Sequence, residues 1–200
     1  TARSEVIPRQ HAQRLLPMIE ELLGERQLRL QDVDALVFGR GPGAFTGVRI
    51  ATGMVQGLAF AADKPVIAVS NLAALAQRAW REHGTDTVAA AIDARMDEVY
   101  WGLYGLQDGV MQLLDDERVC APEAVSLPAG VGSVAGAGTG WQYAERLAVS
   151  ATQSWPQMLP DASDLITLAL PRWQAGEVVD AADAQPVYLR DKVATPKGQA

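Results

Sequence analysis

A glycine-rich turn between an apolar segment and a long run of helix-forming residues restricts the fold of this chain more than any other feature. Asp34–Phe38 predicts a short buried strand, the turn follows at Gly39–Gly43, and a helix is expected over Thr46–Ala62. A strand at Val66–Ser70 and an Ala-rich helix at Leu72–Glu82 continue the alternation. Strands and helices that alternate along the chain in this way are typical of an α/β fold with parallel strands.

The segments that precede the turn predict one strand and one amphipathic helix. A short strand is expected at Thr1–Ile7, followed by a helix over Gln10–Leu23 with one apolar face. Pro17 should kink this helix because it removes a backbone hydrogen bond, and Gly24 is the expected stop. Asn71 is a good N-cap residue and is predicted to cap the Ala-rich helix.

The second half of the chain predicts more strands in succession. The expected strands and helices are, in order, Val88–Ile92, Glu98–Tyr104, Val110–Leu114, Val131–Ala135, Trp141–Leu147 and Ala162–Gln174, the last two being helical. The change near Gly84–Thr87 divides the chain into two α/β lobes at residues 1–85 and 86–200. The tail from Ala194 to Ala200 is expected to be frayed.

The composition argues against several classes of protein. The 200 residues carry a formal net charge of −7 with the basic side chains scattered, so strong direct binding of nucleic acid is not expected. Cys120 and two histidines make a poor zinc ligand set, so no bound metal is expected. No apolar stretch reaches the roughly 20 residues of a membrane span, and Thr1–Gln10 lacks the apolar run of a signal peptide. We therefore expect a cytoplasmic protein.

The glycine-rich segment is the sharpest motif, and its residues of interest are Gly39, Gly41, Pro42, Gly43, Thr46 and Gly47. A turn between a strand and a helix can direct backbone N–H groups at an anion. The Lys-Ser/Thr ending of a Walker A loop is absent, as is a G-x-S-x-G nucleophile elbow. A dinucleotide pattern matches Gly39, Gly41 and Ala44, but the acidic ribose ligand after the next strand is missing. An anion-binding loop and a tight turn that lets a helix pack closely both remain open.

Small residues form a smooth stripe on the helix after the turn. Gly53, Gly57 and Ala61 recur at every fourth position, although each glycine costs about 1 kcal/mol relative to alanine inside a helix. Close approach of another helix would offset that cost. That helix belongs either to the same domain or to another chain, in which case the apolar face of Gln10–Leu23 would contribute to the contact.

Carboxylates gather between two of the predicted strands. Asp93, Asp97 and Glu98 could bind magnesium or provide a general base. Arg95 among them favours a neutralised structural cluster.

Several of these segments together resemble the bacterial TsaB (YeaZ) family. The block Gly41–Ile50 (GPGAFTGVRI) is similar to the family signature GPGSFTGxRI, with Ala44 in place of serine. The further matching stretches are His11 with Leu15, Leu16 and Pro17, then Pro65–Ser70, Ile92–Arg95 with Val99 and Tyr100, and Pro186–Arg190. The similarity covers nearly the whole chain.

The resemblance implies a two-lobed, actin-like ATPase fold and a role without catalysis. TsaB-like proteins are partners of TsaD, which places threonylcarbamoyl on the tRNA adenosine beside the anticodon. In TsaD an HxxxH pair holds the metal, whereas the matching positions here are Asn71 and Leu75, which cannot replace it. The family also opens with an Asp-Thr-Ser turn between two strands, and this sequence begins after it, which would leave a sheet edge of the first lobe exposed.

The resemblance also implies a helical partner surface. The residues expected in it are Ala12, Leu15, Leu16, Ile19, Leu23, Arg49, Gly53, Met54, Gly57 and Leu58. The implied partners are TsaD, TsaE through the complex, and a second copy of this chain when TsaD is absent. Contact with tRNA would be indirect, and ATP and metal would belong to the partner enzymes.

Two other functions remain as alternatives. An ATP-dependent enzyme of the same fold would use Asp93 as base or magnesium ligand, with Gly136–Gly140 beneath the adenosine. A peptidase is less favoured because the sequence offers no metal pair and no serine elbow.

Overall fold

The computed structural model describes residues 1–6 and 10–190. Its four helices are α1 (His11–Glu25), α2 (Phe45–Ala62), α3 (Asn71–His83) and α4 (Ala162–Gln174). Its eight strands are β1 (Leu36–Gly39), β2 (Val66–Val69), β3 (Thr87–Arg95), β4 (Glu98–Gln107), β5 (Val110–Leu113), β6 (Arg118–Cys120), β7 (Ala135–Ala137) and β8 (Ser154–Trp155). No helix in the described ranges is long and apolar enough to cross a membrane.

The strands form two sheets. β1 and β2 pair in parallel, with Leu36 opposite Val66. The second sheet has the order β5-β4-β3-β7-β8, with β6 also pairing with β4. Its centre is mixed, since β3 runs antiparallel to β4 and parallel to β7. The predicted α/β class with parallel strands in the first part of the chain is confirmed.

Helix α3 lies at the centre of the largest apolar core. Leu72, Leu75 and Ala76 are fully buried and pack with side chains from β2, β3, β4 and α4. The predicted boundary at Gly84–Thr87 falls in the connection between α3 and β3. Because this core draws on both parts of the chain, the division into lobes at 1–85 and 86–200 stays a prediction.

Two predictions about the first part of the chain were wrong. Residues 1–6 form no strand and instead lie along α1, where Arg3 pairs with Glu21 and Glu25. Gly24 does not end α1, which continues to Glu25.

The expected cap of α3 was also wrong. Ser70 caps the helix, and its Oγ accepts hydrogen bonds from the N–H groups of Leu72 and Ala73 at 3.1 and 3.4 Å. The side chain of Asn71 points into the glycine-rich turn instead, where Nδ2 donates to the Pro42 carbonyl at 3.1 Å.

Two predictions in the second half were wrong as well. The strand expected at Val131–Ala135 is confined to Ala135–Ala137, because Val131 lies in a turn and donates its N–H to the Pro128 carbonyl at 3.2 Å. The helix expected at Trp141–Leu147 is only a 3-10 segment at Thr139–Tyr143, where the Trp141 indole donates to the Ala89 carbonyl at 2.8 Å. The predicted frayed tail lies outside the described residues.

A polar cluster joins the ends of the first sheet to the second. Glu117, whose side chain is 7% exposed, accepts hydrogen bonds from the hydroxyls of Tyr104 on β4 and Ser70 after β2. Its other oxygen lies 3.3 Å from Nη2 of Arg40, in the glycine-rich turn after β1. One carboxylate therefore fixes the position of that turn against the second sheet.

Replacing Tyr104 by phenylalanine is expected to flatten the loss of stability at alkaline pH. Burial, and then the charge and hydrogen bond of Glu117, raise the pKa of the Tyr104 hydroxyl well above its ordinary value of 10.0. The unfolded chain therefore releases this proton first, and the free energy of unfolding falls as the pH rises past about 10. Denaturant unfolding between about pH 8 and pH 11 measures this slope. An identical slope in Tyr104→Phe would contradict the assignment.

Candidate functional site

Helix α1 buries its apolar side only in part. Leu15, Ile19 and Leu23 are half-buried, Leu16 is 41% exposed and Ala12 is exposed. No residue of α1 whose side chain is described falls in the buried class. Arginines and glutamates pair along its polar side with the segment 1–6. An amphipathic helix with its polar side paired and its apolar side open is typical of a contact surface.

Helix α2 presents its glycine stripe to open space. Gly53 and Gly57 are exposed, and a methyl group built on either would have no neighbour within 4 Å among the described residues. Packing against another described part of the chain therefore does not explain these glycines. Of the other residues predicted on this helix, Met54 and Leu58 are half-buried and Arg49 is exposed.

Large aromatic side chains stand at both ends of the stripe. Phe45 and Phe60 are 49% and 85% exposed, while Gly53 and Gly57 lie between them. Residues three or four apart lie on one face of a helix. This face therefore carries small side chains in its middle and large ones at its two ends. The sequence interpretation missed both phenylalanines, and the available signal was an apolar residue on each side of the small ones.

Arg49 connects this face to the distant part of the chain. Its guanidinium carbon lies 3.7 Å from the centroid of the Phe45 ring, and its Nε donates to the Tyr188 hydroxyl at 3.0 Å. Tyr188 is 47% exposed and lies in the Pro186–Arg190 segment. Arginine and aromatic residues are enriched among the residues that dominate protein interfaces. Tyr188 is a third residue that sequence reasoning did not place here.

The glycine-rich turn closes around the side chain of Asn71. A methyl group at Gly39 would lie 2.1 Å from Asn71 Oδ1, and Gly41 has a φ of +96°, which favours glycine. Gly41 and Pro42 are buried, Gly43 is half-buried, and Thr46 and Gly47 lie in the first turn of α2. Close packing accounts for Gly39 and Gly41, the first two positions of the dinucleotide pattern.

Apolar packing fills the region around Leu75. Leu75 is fully buried, and a methyl group at Gly138 would lie 2.7 Å from its Cδ1 and 2.4 Å from the Ala91 carbonyl oxygen. A methyl group at Gly136 would lie 2.3 Å from the Trp141 ring. These glycines are in close contact with their own protein, so close packing accounts for Gly136 and Gly138.

Each carboxylate of the Asp93–Glu98 segment has an arginine partner. Arg95 lies 3.2 Å from Asp93, Arg146 lies 3.2 Å from Asp97, and Arg190 pairs with Glu98. This arrangement agrees with a neutralised structural cluster. No group of three or more His, Cys, Asp or Glu side chains within the described ranges could hold a metal ion.

Comparison with known proteins gives one consistent family. A family model described as TsaD, tRNA N6-adenosine threonylcarbamoyltransferase, matches residues 4–153. The chain is 42% identical to the tRNA threonylcarbamoyladenosine biosynthesis protein TsaB of Escherichia coli K12, over 98% of this chain and 87% of that protein. The Haemophilus influenzae protein of the same name is 39% identical over 97% and 86% of the two chains. A solved structure of YeaZ from Pseudomonas aeruginosa, 59% identical, superposes with a TM-score of 0.90 over 92% of this chain and 87% of that one.

Proposed function

This chain belongs to the TsaB family and has its actin-like fold, and from that premise we propose that it acts in tRNA threonylcarbamoyladenosine biosynthesis as a non-catalytic partner of TsaD. The observation that carries the proposal is the open face formed by α1 and α2. Exposed apolar side chains on α1 adjoin a glycine stripe on α2 that contacts nothing else in the described residues. Such a surface costs stability in the isolated chain, and a partner helix would offset that cost.

The shape of α2 favours a helix as the partner element. Gly53 and Gly57 allow two helix axes to approach closely, and Phe45 and Phe60 can fill the spaces beside the crossing helix. Leu15, Leu16 and Ile19 of α1 supply further apolar area. We propose that TsaD docks here, and that a second copy of this chain occupies the face when TsaD is absent.

The absence of catalysis is supported by the residues at the centre of the fold. The positions where the resemblance places two metal-binding histidines in TsaD carry Asn71, which binds the glycine-rich turn, and Leu75, which is buried in the core. Neither side chain matches the ligand set of such a site. We propose that this chain alone binds neither ATP nor a metal, and that the partner enzymes supply both.

The remaining partners follow from the same proposal. A net charge of −7 disfavours strong direct binding of tRNA, so tRNA would contact this chain only through the complex. TsaE would join through the same complex. A role in tRNA modification would place the protein in the cytoplasm.

Replacing Gly53 by leucine tests the interface directly. The change should stabilise α2 by up to about 1 kcal/mol, because leucine is the better helix former and the site is open. The same side chain should prevent close helix approach and weaken binding to TsaD by about 100-fold or more, which is roughly 2.7 kcal/mol. Size-exclusion chromatography with light scattering, with and without purified TsaD, measures both the homodimer and the complex.

Thr167→Leu on α4 is the matched control, because Thr167 is an exposed helical position far from α1 and α2 in sequence. It should leave both assemblies unchanged. Unchanged affinity of Gly53→Leu for TsaD would exclude this face as the interface. ATP turnover by the isolated wild-type chain, lost in Asp93→Asn, would instead favour an enzyme.

A further inference from the structure

Arg49 is the single charge on the exposed face of α2. Helix α2 spans Phe45–Ala62, and this segment contains no other charged residue. Its exposed residues are Phe45, Thr46, Arg49, Gly53, Gly57, Phe60 and Ala61. Except for Arg49 and the hydroxyl of Thr46, their side chains are apolar or absent. The face that we propose for TsaD therefore offers its partner one guanidinium on an otherwise apolar surface.

Two aromatic side chains orient the guanidinium of Arg49. Its carbon lies 3.7 Å from the centroid of the Phe45 ring and 5.8 Å from that of the Tyr188 ring. Nε donates to the Tyr188 hydroxyl at 3.0 Å, across 139 positions of the chain. The group is therefore oriented before a partner arrives, which lowers the entropic cost of binding.

Four of the five N–H groups of Arg49 remain for a partner. Within the described residues, Nε makes the one hydrogen bond of this side chain, and no carboxylate pairs with it. Arg14 on α1 and Arg81 on α3, by contrast, pair with Glu5 and Asp164. The remaining donors are those of Nη1 and Nη2, and such a pair of nitrogens suits the two oxygens of a carboxylate.

A helix docked on the glycine stripe would also cover Arg49. This residue precedes Gly53 by four positions, which is about 6 Å along the helix axis. A helix with its side chains is roughly 10 Å wide, so a partner helix that crosses near Gly53 extends over Arg49. A charge removed from water is strongly destabilising unless an opposite charge pairs with it. The partner must therefore supply an anionic group at this end of the stripe.

The composition of the face favours a carboxylate over the phosphates of a nucleic acid. A nucleic acid backbone is bound by several cations, because each phosphate contact needs one. Arg49 is alone on the exposed face of α2, and the chain has a net charge of −7. One guanidinium on an apolar face is instead complementary to one carboxylate on an apolar helix.

We propose that the helix of TsaD that docks on the glycine stripe carries an aspartate or glutamate, and that its carboxylate binds Nη1 and Nη2 of Arg49. This inference rests on the proposed function, because it names the chemistry of the partner at the same interface. The ion pair fixes the position of the partner helix along α2. Gly53 and Gly57 fix only the distance between the two helices.

Two variants of Arg49, mixed with purified TsaD and followed by isothermal titration calorimetry, test the pairing. Arg49→Met should weaken binding about 30-fold or more, because the carboxylate of TsaD would be left buried without a cation. Arg49→Glu should weaken it further, and a single acidic-to-lysine substitution in TsaD should then restore binding. Circular dichroism checks that both variants fold, as expected for an exposed position.

Two control variants separate the ion pair from simple packing. Tyr188→Phe keeps the ring but removes the acceptor of Nε, so it should weaken binding less than 5-fold. Arg146→Met removes an arginine that pairs with Glu123 and Asp97 elsewhere, and it should leave binding unchanged. A loss in Tyr188→Phe as large as that in Arg49→Met would overturn the pairing, as would the absence of any restoring substitution in TsaD.

Gly53→Leu distinguishes failure of the ion pair from failure of the interface. If Gly53→Leu abolishes binding but Arg49→Met binds TsaD as the wild type does, the pairing is overturned and the proposed interface stands. If both variants bind unchanged, TsaD docks elsewhere and both proposals fail. Loss of binding in both, with restoration of Arg49→Glu by a lysine in TsaD, supports both.

Discussion

Replacing Arg81 by methionine is expected to lower the free energy of unfolding by about 3–4 kcal/mol. Arg81 on α3 donates from Nε and Nη2 to the two carboxylate oxygens of Asp164 on α4, at 2.8 and 2.9 Å. Asp164 is fully buried, whereas the Arg81 side chain is 43% exposed. The variant therefore leaves a buried carboxylate without its cation, which is far more costly than the loss of an exposed ion pair.

The unequal burial of the two partners predicts an unequal response. In Asp164→Leu the arginine turns to solvent, so the loss should be smaller, on the order of 1 kcal/mol. The double variant Arg81→Met with Asp164→Leu should recover much of the loss, because neither charge then remains. Denaturant unfolding of the four proteins gives the coupling energy.

Arg146→Met provides the control, since Arg146 pairs with the exposed side chains of Asp97 and Glu123. Such a pair contributes about 0–1 kcal/mol. A cost for Arg81→Met no larger than that of Arg146→Met would show that Asp164 is not dependent on its partner.

Local patterns in the sequence were sufficient for elements whose periodicity agrees with their burial. Helix α4 was predicted at its observed bounds, and α2 to within one residue at its start, because their apolar residues recur at helical spacing. Strands β4 and β5 were found for a similar reason, since alternating residues flank a turn at Asp108 and Gly109. Where the conformational preference of a segment and its tertiary packing favour the same structure, the sequence of that segment is sufficient to predict it.

Cap and strand predictions were wrong where a tertiary contact chose between similar candidates. Ser70 and Asn71 are both good N-cap residues, and the observed cap depends on Asn71 being needed in the glycine-rich turn. Val131 has strand propensity, but only Ala135–Ala137 pair in parallel with β3. Neither outcome can be read from a short window of sequence.

The ion pairs of Glu117 and of Asp164 could not be predicted at all. Glu117 meets Ser70 across 47 positions, and Arg81 meets Asp164 across 83. No spacing rule connects residues so far apart, and a lone glutamate or aspartate in a polar stretch is ordinarily exposed. The glycine stripe of α2 was visible because its residue type is unfavourable within a single helix, whatever the tertiary structure. The useful signal for the candidate interface was therefore a residue type that destabilises its own helix, rather than one that favours it.

Replacing Glu117 by alanine is expected to cost about 3–4 kcal/mol, at roughly 1 kcal/mol or slightly more for each of three donors left without an acceptor. Those donors are the hydroxyls of Ser70 and Tyr104 and the guanidinium of Arg40. The residues Ser70 and Tyr104 are only 7% and 2% exposed. Amide hydrogen exchange should also become faster around Arg40 and Gly41, because Glu117 fixes the glycine-rich turn against the second sheet. Mass-resolved exchange and urea unfolding measure the two effects.

Three comparisons make this result specific to the network. Tyr104→Phe removes a single donor together with its bond and should cost only about 1 kcal/mol. Glu123→Ala removes a glutamate that is paired with Arg146 at the surface, and it should cost no more than about 1 kcal/mol. Glu117→Gln keeps the shape and one acceptor oxygen but loses the charge opposite Arg40, so its cost should lie between those of Tyr104→Phe and Glu117→Ala. If exchange in the glycine-rich turn were equal in Glu117→Ala and Glu123→Ala, Glu117 would not fix the turn. Other contacts would then hold it, among them those of Asn71, whose backbone N–H and Nδ2 bind the turn at 2.9 and 3.1 Å.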